Sequence, residues 1–239
     1  MTRREPGLPM TDAATPAHEP DDSEFARSLR GFGPPGILAM LVVLAGNLVV
    51  LPLSAVLALV WAHVSRTPWR EIGYVRPRSW ARDLVVGIAL GVALKLVMKT
   101  VVMPLLGAPP VNPTYHYLAG NASAALLFAL QIVIFAGFGE ETVFRGYMFE
   151  RLGKLLGHGT GAKIATVLLT SALFGAAHFP DQGLPGVEQA TIVGLVYGTI
   201  FAVQGRLWML MCAHVAFDWA ALAIIYWNLE SSVAHFFFK

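Results

Sequence analysis

Residues 122–157 read ASAALLFALQIVIFAGFGEETVFRGYMFERLGKLLG, and they carry no charged side chain before Glu140. An α-helix needs about 20 mainly apolar residues to cross the hydrocarbon core of a bilayer. The stretch is continuously apolar rather than alternating in polarity, so we predict one long helix that lies largely in lipid. Gly137, Gly139 and Gly146 within it permit close approach of neighbouring helices.

Similar apolar stretches recur along the 239-residue chain, which is 56% hydrophobic and only 13% charged. Soluble domains carry about 25% charged residues, so the composition excludes an ordinary water-soluble fold. The predicted fold class is all-α, a polytopic transmembrane helix bundle of about six spanning helices embedded in a lipid bilayer. The net charge of +2 is small and its Lys and Arg are scattered, which argues against a nucleic-acid partner.

The composition changes along the chain and predicts four segments. A polar stretch rich in Pro and charge, without apolar periodicity, is expected to be a disordered tail. The first spanning helix is expected to run from Pro34 to His63, with Pro52 as a kink inside it. The second carries Lys95 and Lys99 on one face. The segments are residues 1–32 (tail), 33–121 (first two transmembrane helices and links), 122–230 (helical core with the candidate site) and 231–239 (C-terminal tail).

Basic residues outside the spans predict the membrane orientation. The Arg-rich link at residues 66–82, the region 145–163 and Arg206 fall on one side of the predicted bundle, which the positive-inside rule makes cytoplasmic. Arg27 and Arg30, next to the first helix, argue for the opposite assignment. We expect the protein to be an integral, multi-pass protein of the plasma membrane.

Ionisable residues inside the spans form the candidate site, because such residues are costly in lipid and usually functional. Glu141 and Arg145 are four residues apart and predict an ion pair on one helix face. On an α-helix Glu140 lies about 140° around from Arg145, which leaves it free to act as a general base. The full set is Glu140, Glu141, Arg145, His178, His214 and Asp218.

Helix lengths counted from the turn at residues 157–161 place Glu140 and His178 at similar depth. His214 is expected about 10 Å away in level, a gap that helix tilt could close. His214 and Asp218 share a helix face, so the Asp218 carboxylate is expected to accept from the imidazole and set its orientation. Phe174 is expected to pack in the core and to wall the site.

Several other chemistries are excluded by the residues present. No H-E-x-x-H motif occurs, because Phe179, Pro180 and Asp181 follow His178. No G-x-S-x-G motif of serine hydrolases is present. The glycine-rich GFGEET stretch lacks the Lys and Ser or Thr of a phosphate-binding loop.

The motifs Glu140-Glu141-x-x-x-Arg145, Phe174-x-x-x-His178 and His214-x-x-x-Asp218, in this order on apolar helices, resemble the CAAX protease and bacteriocin-processing (Abi) family of intramembrane endopeptidases. The resemblance covers about residues 125–225. It implies that Glu140, assisted by His178, activates a water for attack on a peptide carbonyl. It also implies that His214 and the residue at 218 stabilise the oxyanion, and that Glu141 and Arg145 orient the site. Members often carry Asn where this chain has Asp218, so we assign Asp218 to orienting His214.

Two possibilities for metal use remain open. Glu140, His178 and His214 could supply three ligands to a catalytic zinc ion. The same residues suit a mechanism in which glutamate alone activates water, and the resemblance to the prenyl-protein CAAX protease favours this reading. The favoured prediction therefore requires no cofactor.

The leading hypothesis is an intramembrane endopeptidase whose partner is a membrane-associated protein or peptide. A prenylated CAAX protein and a bacteriocin leader both fit this description. The resemblance implies a site open to the cytosol, whereas the basic residues place the His178 end outside. A membrane scaffold of the same family and a proton-coupled carrier are the alternatives.

Overall fold

The computed structural model describes residues 23–50 and 52–238, and every regular element in these ranges is helical. Among the described residues, five helices are long and apolar enough to cross a membrane, or six if the bent pair α1 and α2 forms one span. This confirms the predicted all-α transmembrane bundle. The helices are Glu24–Arg30 (α1), Pro34–Val49 (α2), Leu53–Val64 (α3), Trp80–Leu105 (α4), Ala122–Leu156 (α5), Thr160–Ala177 (α6), Phe179–Gln204 (α7), Trp208–Tyr226 (α8) and Glu230–Ala234 (α9).

The tail predicted for residues 1–32 lies outside the described residues as far as residue 22. Its last part is not disordered, because α1 is a capped helix. The Ser23 hydroxyl accepts from the Ala26 N–H at 3.2 Å, and the Ala26 side chain is fully buried. Arg151 donates to the carbonyls of Arg30 and Gly31 at 2.9 and 3.0 Å. These tertiary contacts stabilise a segment whose own sequence shows no apolar periodicity.

The segment predicted as one kinked spanning helix is instead a helical hairpin of α2 and α3. Asn47 and Ser54 hydrogen-bond across its tip, each backbone N–H donating to the other side chain at 2.9 Å. At the open end, Trp61 Nε1 donates to the Leu29 carbonyl at 3.1 Å, so the chain returns to the level at which it entered. Pro52 therefore lies in the tight turn between two antiparallel helices. The α3 helix has only 12 residues, too few to cross a bilayer.

The hairpin places Arg27 and Arg30 on the same side as the Arg-rich link, which removes their conflict with the other basic residues. Contacts of Arg151 with the Arg30 carbonyl, and of Lys154 with Glu71 at 3.1 Å, join these segments. We call this end of the bundle the basic face. Its Lys and Arg residues are Arg27, Arg30, Arg66, Arg70, Arg76, Arg78, Arg82, Arg151, Lys154, Lys163 and Arg206.

The opposite end, which we call the base-free face, consists of residues 106–121, 178–186 and 227–238. These segments contact one another, since Gly120 N–H donates to the Tyr226 carbonyl and Thr114 Oγ1 donates to the Asp181 carbonyl, both at 2.9 Å. None of these three segments contains Lys or Arg. The remaining described cations, Lys95, Lys99 and Arg145, lie within spanning helices.

The long helix predicted from residue 122 is present as α5, but its middle is wound differently from an α-helix. Residues Val133–Tyr147 form a π-helix, with i→i+5 hydrogen bonds, a form that is rare and often marks functional sites. The α-helical angle of about 140° between Glu140 and Arg145 therefore does not apply. A Cβ built on Gly146 would lie 2.9 Å from the Ile72 carbonyl oxygen, which confirms that this glycine permits close packing.

Helices α6 and α7 meet at His178, and α7 is interrupted at its start. Gly183 has φ +60°, a backbone conformation that favours glycine, and Pro185 follows it. Residues 180–186 thus form a helical turn and a break before the spanning part of α7.

Candidate active site

A cavity of about 1050 Å³ lies between α4–α8, the tip of the hairpin and the links of the base-free face. Four of the six residues predicted for the site line it: Glu140, His178, His214 and Asp218. Glu141 and Arg145 lie behind this layer and are 0% and 1% exposed. The structure thus brings together residues from three helices that are distant in sequence.

The buried layer fixes the imidazole of His214. Arg145 Nη1 donates to Glu141 Oε1 at 2.8 Å, which agrees with the predicted ion pair. The same carboxylate oxygen accepts from His214 Nδ1 at 2.7 Å. Glu141 therefore joins a cation on its own helix to an imidazole on α8. A carboxylate can only accept a hydrogen bond, so His214 Nδ1 carries a proton. The other ring nitrogen, Nε2, points towards the cavity.

This arrangement corrects the role expected for Asp218. Its Oδ2 lies 3.8 Å from His214 Nε2, beyond hydrogen-bonding distance, while Glu141 makes the bond that orients the ring. The contact from Glu141 joins residues 73 positions apart, so helix periodicity could not reveal it. Asp218 is instead a second carboxylate facing Nε2, and its side chain is 30% exposed.

Glu140 is the glutamate of the Glu140–Glu141 pair that reaches the cavity. Its Oε2 lies 3.6 Å from His214 Nε2, and its side chain is 27% exposed. Among the ion pairs between described residues, none joins Glu140 to Arg145, although the two are one π-helical turn apart. The adjacent glutamates of the motif therefore occupy different environments, one neutralised in the interior and one at the cavity wall.

His178 is held by the helix that precedes it. Its Nδ1 donates to the Phe174 carbonyl at 2.8 Å, so the neutral ring keeps Nε2 as a proton acceptor. The Phe174 ring packs edge-on against His178 and His214, with ring centroids 4.7 and 5.9 Å away. The Arg145 guanidinium lies over the same Phe174 ring, 4.6 Å from its centroid. Phe174 is 2% exposed and thus both packs the core and walls the site, as expected.

The sequence placed His214 about 10 Å from the depth of His178 along the bundle. The structure shows no such difference, because the turn before α8 is buried inside the bundle rather than at its surface. Leu207 is buried and its N–H donates to the Gly73 carbonyl at 3.0 Å, whereas Lys163, at the other turn, is exposed. Helix α4 also packs tightly against the first part of α8. A Cβ built on Gly87 would lie 2.6 Å from the Met209 carbonyl oxygen.

The three side chains suggested as zinc ligands are not arranged as a zinc site. Within residues 23–50 and 52–238, no group of three or more His, Cys, Asp or Glu side chains is arranged to hold a metal ion. Glu140, His178 and His214 line the same cavity, but their donor atoms do not converge as a zinc site requires. We therefore derive no step through a metal.

Several polar cavity residues were not identified from the sequence. Tyr115 lies in the link before α5, where its hydroxyl accepts from Gln182 Nε2 at 3.2 Å. Burial, with smaller contributions from nearby carboxylates, raises the pKa of Tyr115 to about 12, so the hydroxyl keeps its proton at neutral pH. Asn47 and Ser54 reach the cavity from the hairpin tip. These residues were missed because the Gly-rich and Pro-rich link and the apolar hairpin that contain them carry no motif typical of a functional site.

Comparisons with known proteins agree with the motifs. Residues 122–220 match the family model described as Type II CAAX prenyl endopeptidase Rce1-like. The matched segment runs from α5 into α8 and includes all six candidate residues. Searches of curated proteins and of solved structures gave no significant match. Residues 122–220 are thus similar to the Rce1-like type II CAAX prenyl endopeptidases, in agreement with the resemblance that the sequence motifs indicated.

Proposed function

We propose that this protein is an intramembrane endopeptidase that hydrolyses a peptide bond of a membrane-associated substrate. The observation that carries the proposal is the position of Glu140. Its carboxylate reaches a cavity large enough for a peptide and lies 3.6 Å from an imidazole that the buried Glu141–Arg145 pair holds in place. The family match supports hydrolase chemistry of the CAAX-protease type.

In the proposed reaction Glu140 removes a proton from a water molecule, and the resulting hydroxide attacks the peptide carbonyl carbon. The Nε2 atom of His178 accepts a hydrogen bond from this water and orients it. When His214 carries two protons, its Nε2–H donates to the oxyanion, while Glu141 balances the charge of the ring. The C–N bond then breaks, and Glu140 returns the proton to the leaving amine. No cofactor takes part in these steps.

The first experiment compares wild type with Glu140→Gln, both purified and reconstituted in liposomes. The assay uses quenched fluorescent peptides, prenylated and unprenylated. We expect wild-type turnover and a loss of about 10²–10⁴-fold in Glu140→Gln, the usual contribution of a general base. The matched control is Glu188→Gln, because Glu188 does not line the cavity. Turnover by Glu140→Gln at the wild-type rate would contradict the mechanism.

Binding without turnover would instead support the scaffold alternative. In that case wild type and Glu140→Gln would capture the same peptide and release no product. Addition of a zinc chelator tests the metal-free mechanism in the same assay. We expect no change in turnover, and loss of activity that zinc restores would overturn it.

The distribution of cations supports an orientation for the site. Positive residues concentrate on the cytoplasmic side of membrane proteins, so we place the basic face in the cytoplasm and the protein in the plasma membrane. Links of the base-free face line the cavity, so substrates would enter from the outer side or from lipid. This favours an exported or membrane-spanning peptide over a cytosolic prenylated protein.

Cysteine labelling tests this orientation in a Cys212→Ser background, since Cys212 is the single cysteine. We expect a membrane-impermeant maleimide added to intact cells to label Tyr117→Cys and not Arg78→Cys. Glu24→Cys should behave like Arg78→Cys if α2 and α3 form a hairpin. The opposite pattern would place the site in the cytosol and restore prenylated CAAX proteins as the leading substrate.

A further inference from the structure

The proposed mechanism leaves one buried cation of the cavity without a function. Lys95 lies on α4, one turn after Gly91. A Cβ on Gly91 would collide with the Ala213 carbonyl oxygen, so α4 and α8 are in close contact there. The Lys95 side chain accordingly lies against α8, with Nζ 4.7 Å from the centre of the Phe217 ring. It is 7% exposed and lines the cavity.

The polar partner of Lys95 is neutral. Its Nζ donates to Gln189 Oε1 at 3.1 Å, and none of the ion pairs between described residues includes it. Lys99 differs, because its Nζ donates to the Pro110 carbonyl and lies 3.8 Å from Glu230 Oε1. Asp218 and Glu230 attract the Lys95 ammonium from beyond ion-pair distance. A buried ammonium without a direct ion pair is costly, particularly at membrane depth. The Lys95 ammonium therefore has N–H groups without an acceptor among the described residues, and it lies beside the open cavity.

Its position relative to the proposed catalytic residues suggests which anion it would meet. Phe217 follows His214 by three residues, which is about 4.5 Å along the helix. Lys95 therefore lies about one turn from the level of His214, towards the base-free face. An extended peptide covers about 3.3–3.6 Å per residue, so a group bound at Lys95 would be roughly one or two residues from the scissile bond.

We propose that Lys95 binds a carboxylate of the substrate peptide, one or two residues from the bond that is cleaved, and so determines specificity. The inference rests on the proposed endopeptidase function. The Lys95 ammonium donates charge-assisted hydrogen bonds to the carboxylate, and Gln189 holds the ammonium in place. The carboxylate comes either from a free C-terminus or from an Asp or Glu side chain.

Peptide binding tests this proposal independently of turnover. The probes are three fluorescent, N-acetylated apolar hexapeptides: one with a free C-terminus, its C-terminal amide, and an amide with Glu as the third residue from the end. They are titrated against Glu140→Gln protein in nanodiscs, with and without Lys95→Met. We expect the free acid or the Glu peptide to bind about 10- to 100-fold more tightly than the plain amide.

Lys95→Met should abolish that preference while leaving binding of the plain amide unchanged, which also shows that the variant is folded. Lys95→Arg should retain part of the preference. Lys99→Met is the matched control and should retain all of it, because Lys99 already pairs with Glu230. Preference for the free acid identifies a C-terminus as the source, and preference for the Glu peptide identifies a side chain.

Equal affinity of the three peptides, failure of all three to bind, or a preference that survives Lys95→Met would each overturn the proposal. Turnover separates this result from the proposed function. If wild type cleaves all three peptides equally well, the protein is an endopeptidase and Lys95 does not select a carboxylate. If the preference is present in binding but no peptide is cleaved, Lys95 binds carboxylate and the catalytic proposal fails.

Discussion

The helical core α4–α8 and the N-terminal hairpin α2–α3 contain different kinds of polar contact. In the core, Glu141 and Arg145 are almost completely buried and neutralise each other. In the hairpin, the contacts are neutral hydrogen bonds, such as those of Asn47 with Ser54. Charges at membrane depth are costly, and here they are paired with each other, whereas neutral hydrogen bonds suffice to close a turn.

The two parts meet at the site. A Cβ built on Gly139 would lie 3.1 Å from the Cβ of Pro52, which puts the hairpin tip beside Glu140. Asn47 and Ser54 line the cavity from that side. The hairpin is therefore a wall of the cavity, and we expect changes in it to affect stability more than the chemical step.

The largest effect is expected in the buried layer of the core. Glu141→Gln leaves Arg145 without a counter-ion and should lower the free energy of unfolding by about 3–5 kcal/mol. The apparent melting temperature in detergent should fall by about 10 °C. Glu140→Gln is the adjacent control and should melt close to wild type, because Glu140 is partly exposed. If the two variants had the same melting temperature, the two glutamates would not differ in their contribution to stability, and the description of Glu141 as the buried counter-ion would be wrong.

Packing between α4 and α8 should give the next largest effect. Gly91→Ala forces a methyl group against the Ala213 carbonyl oxygen and the Phe217 N–H, and should cost about 1–3 kcal/mol. Gly153→Ala is the control, since no atom lies within 4 Å of a Cβ there and alanine favours a helix. Thermal melting of both variants checks this. Tolerance of Gly91→Ala would contradict the close helix approach that places Lys95.

A smaller effect is expected in the hairpin. Asn47→Ala removes the acceptor of the Ser54 N–H and should cost about 1 kcal/mol. Peptide turnover per folded molecule should stay within about threefold of wild type, because no proposed catalytic residue contacts Asn47. The melting temperature and the peptide turnover of Asn47→Ala, measured on one preparation, test whether stability falls while turnover is kept. A large loss of turnover at unchanged stability would make the hairpin part of the catalytic machinery.

The smallest effect is expected for Asp218, whose oxygen is too far from His214 to orient it. Asp218→Asn should reduce kcat by no more than about tenfold, whereas Glu141→Gln should reduce it by more than about 100-fold per folded molecule. The rates are compared in liposomes after correction for the folded fraction. A larger loss in Asp218→Asn than in Glu141→Gln would return the orienting role to Asp218.

Predictions from the sequence succeeded where the relevant contact is local. Glu141 and Arg145 are four residues apart, so their ion pair followed from helical periodicity. Hydropathy likewise indicated the spanning helices, because their length and composition are properties of short segments. The hairpin was missed because a kink at Pro52 and a turn at Pro52 have the same apolar pattern on either side.

The contacts of His214 show why the geometry of the site was only partly predictable. The motif spacing identified the ring, but its orientation comes from Glu141 on another helix. The depth of His214 depends on the buried turn at Leu207, which binds the Gly73 carbonyl. Such contacts join segments far apart in the chain, and no periodicity of one segment contains them.

The amino-acid sequence by itself determined the membrane class, the helical architecture and the identities of the candidate residues, because these follow from composition and short-range spacing. The tertiary structure decided which carboxylate holds His214 and on which face Arg27 and Arg30 lie. Those features arise when helices pack, since burial and counter-ions are properties of neighbouring segments rather than of any single one.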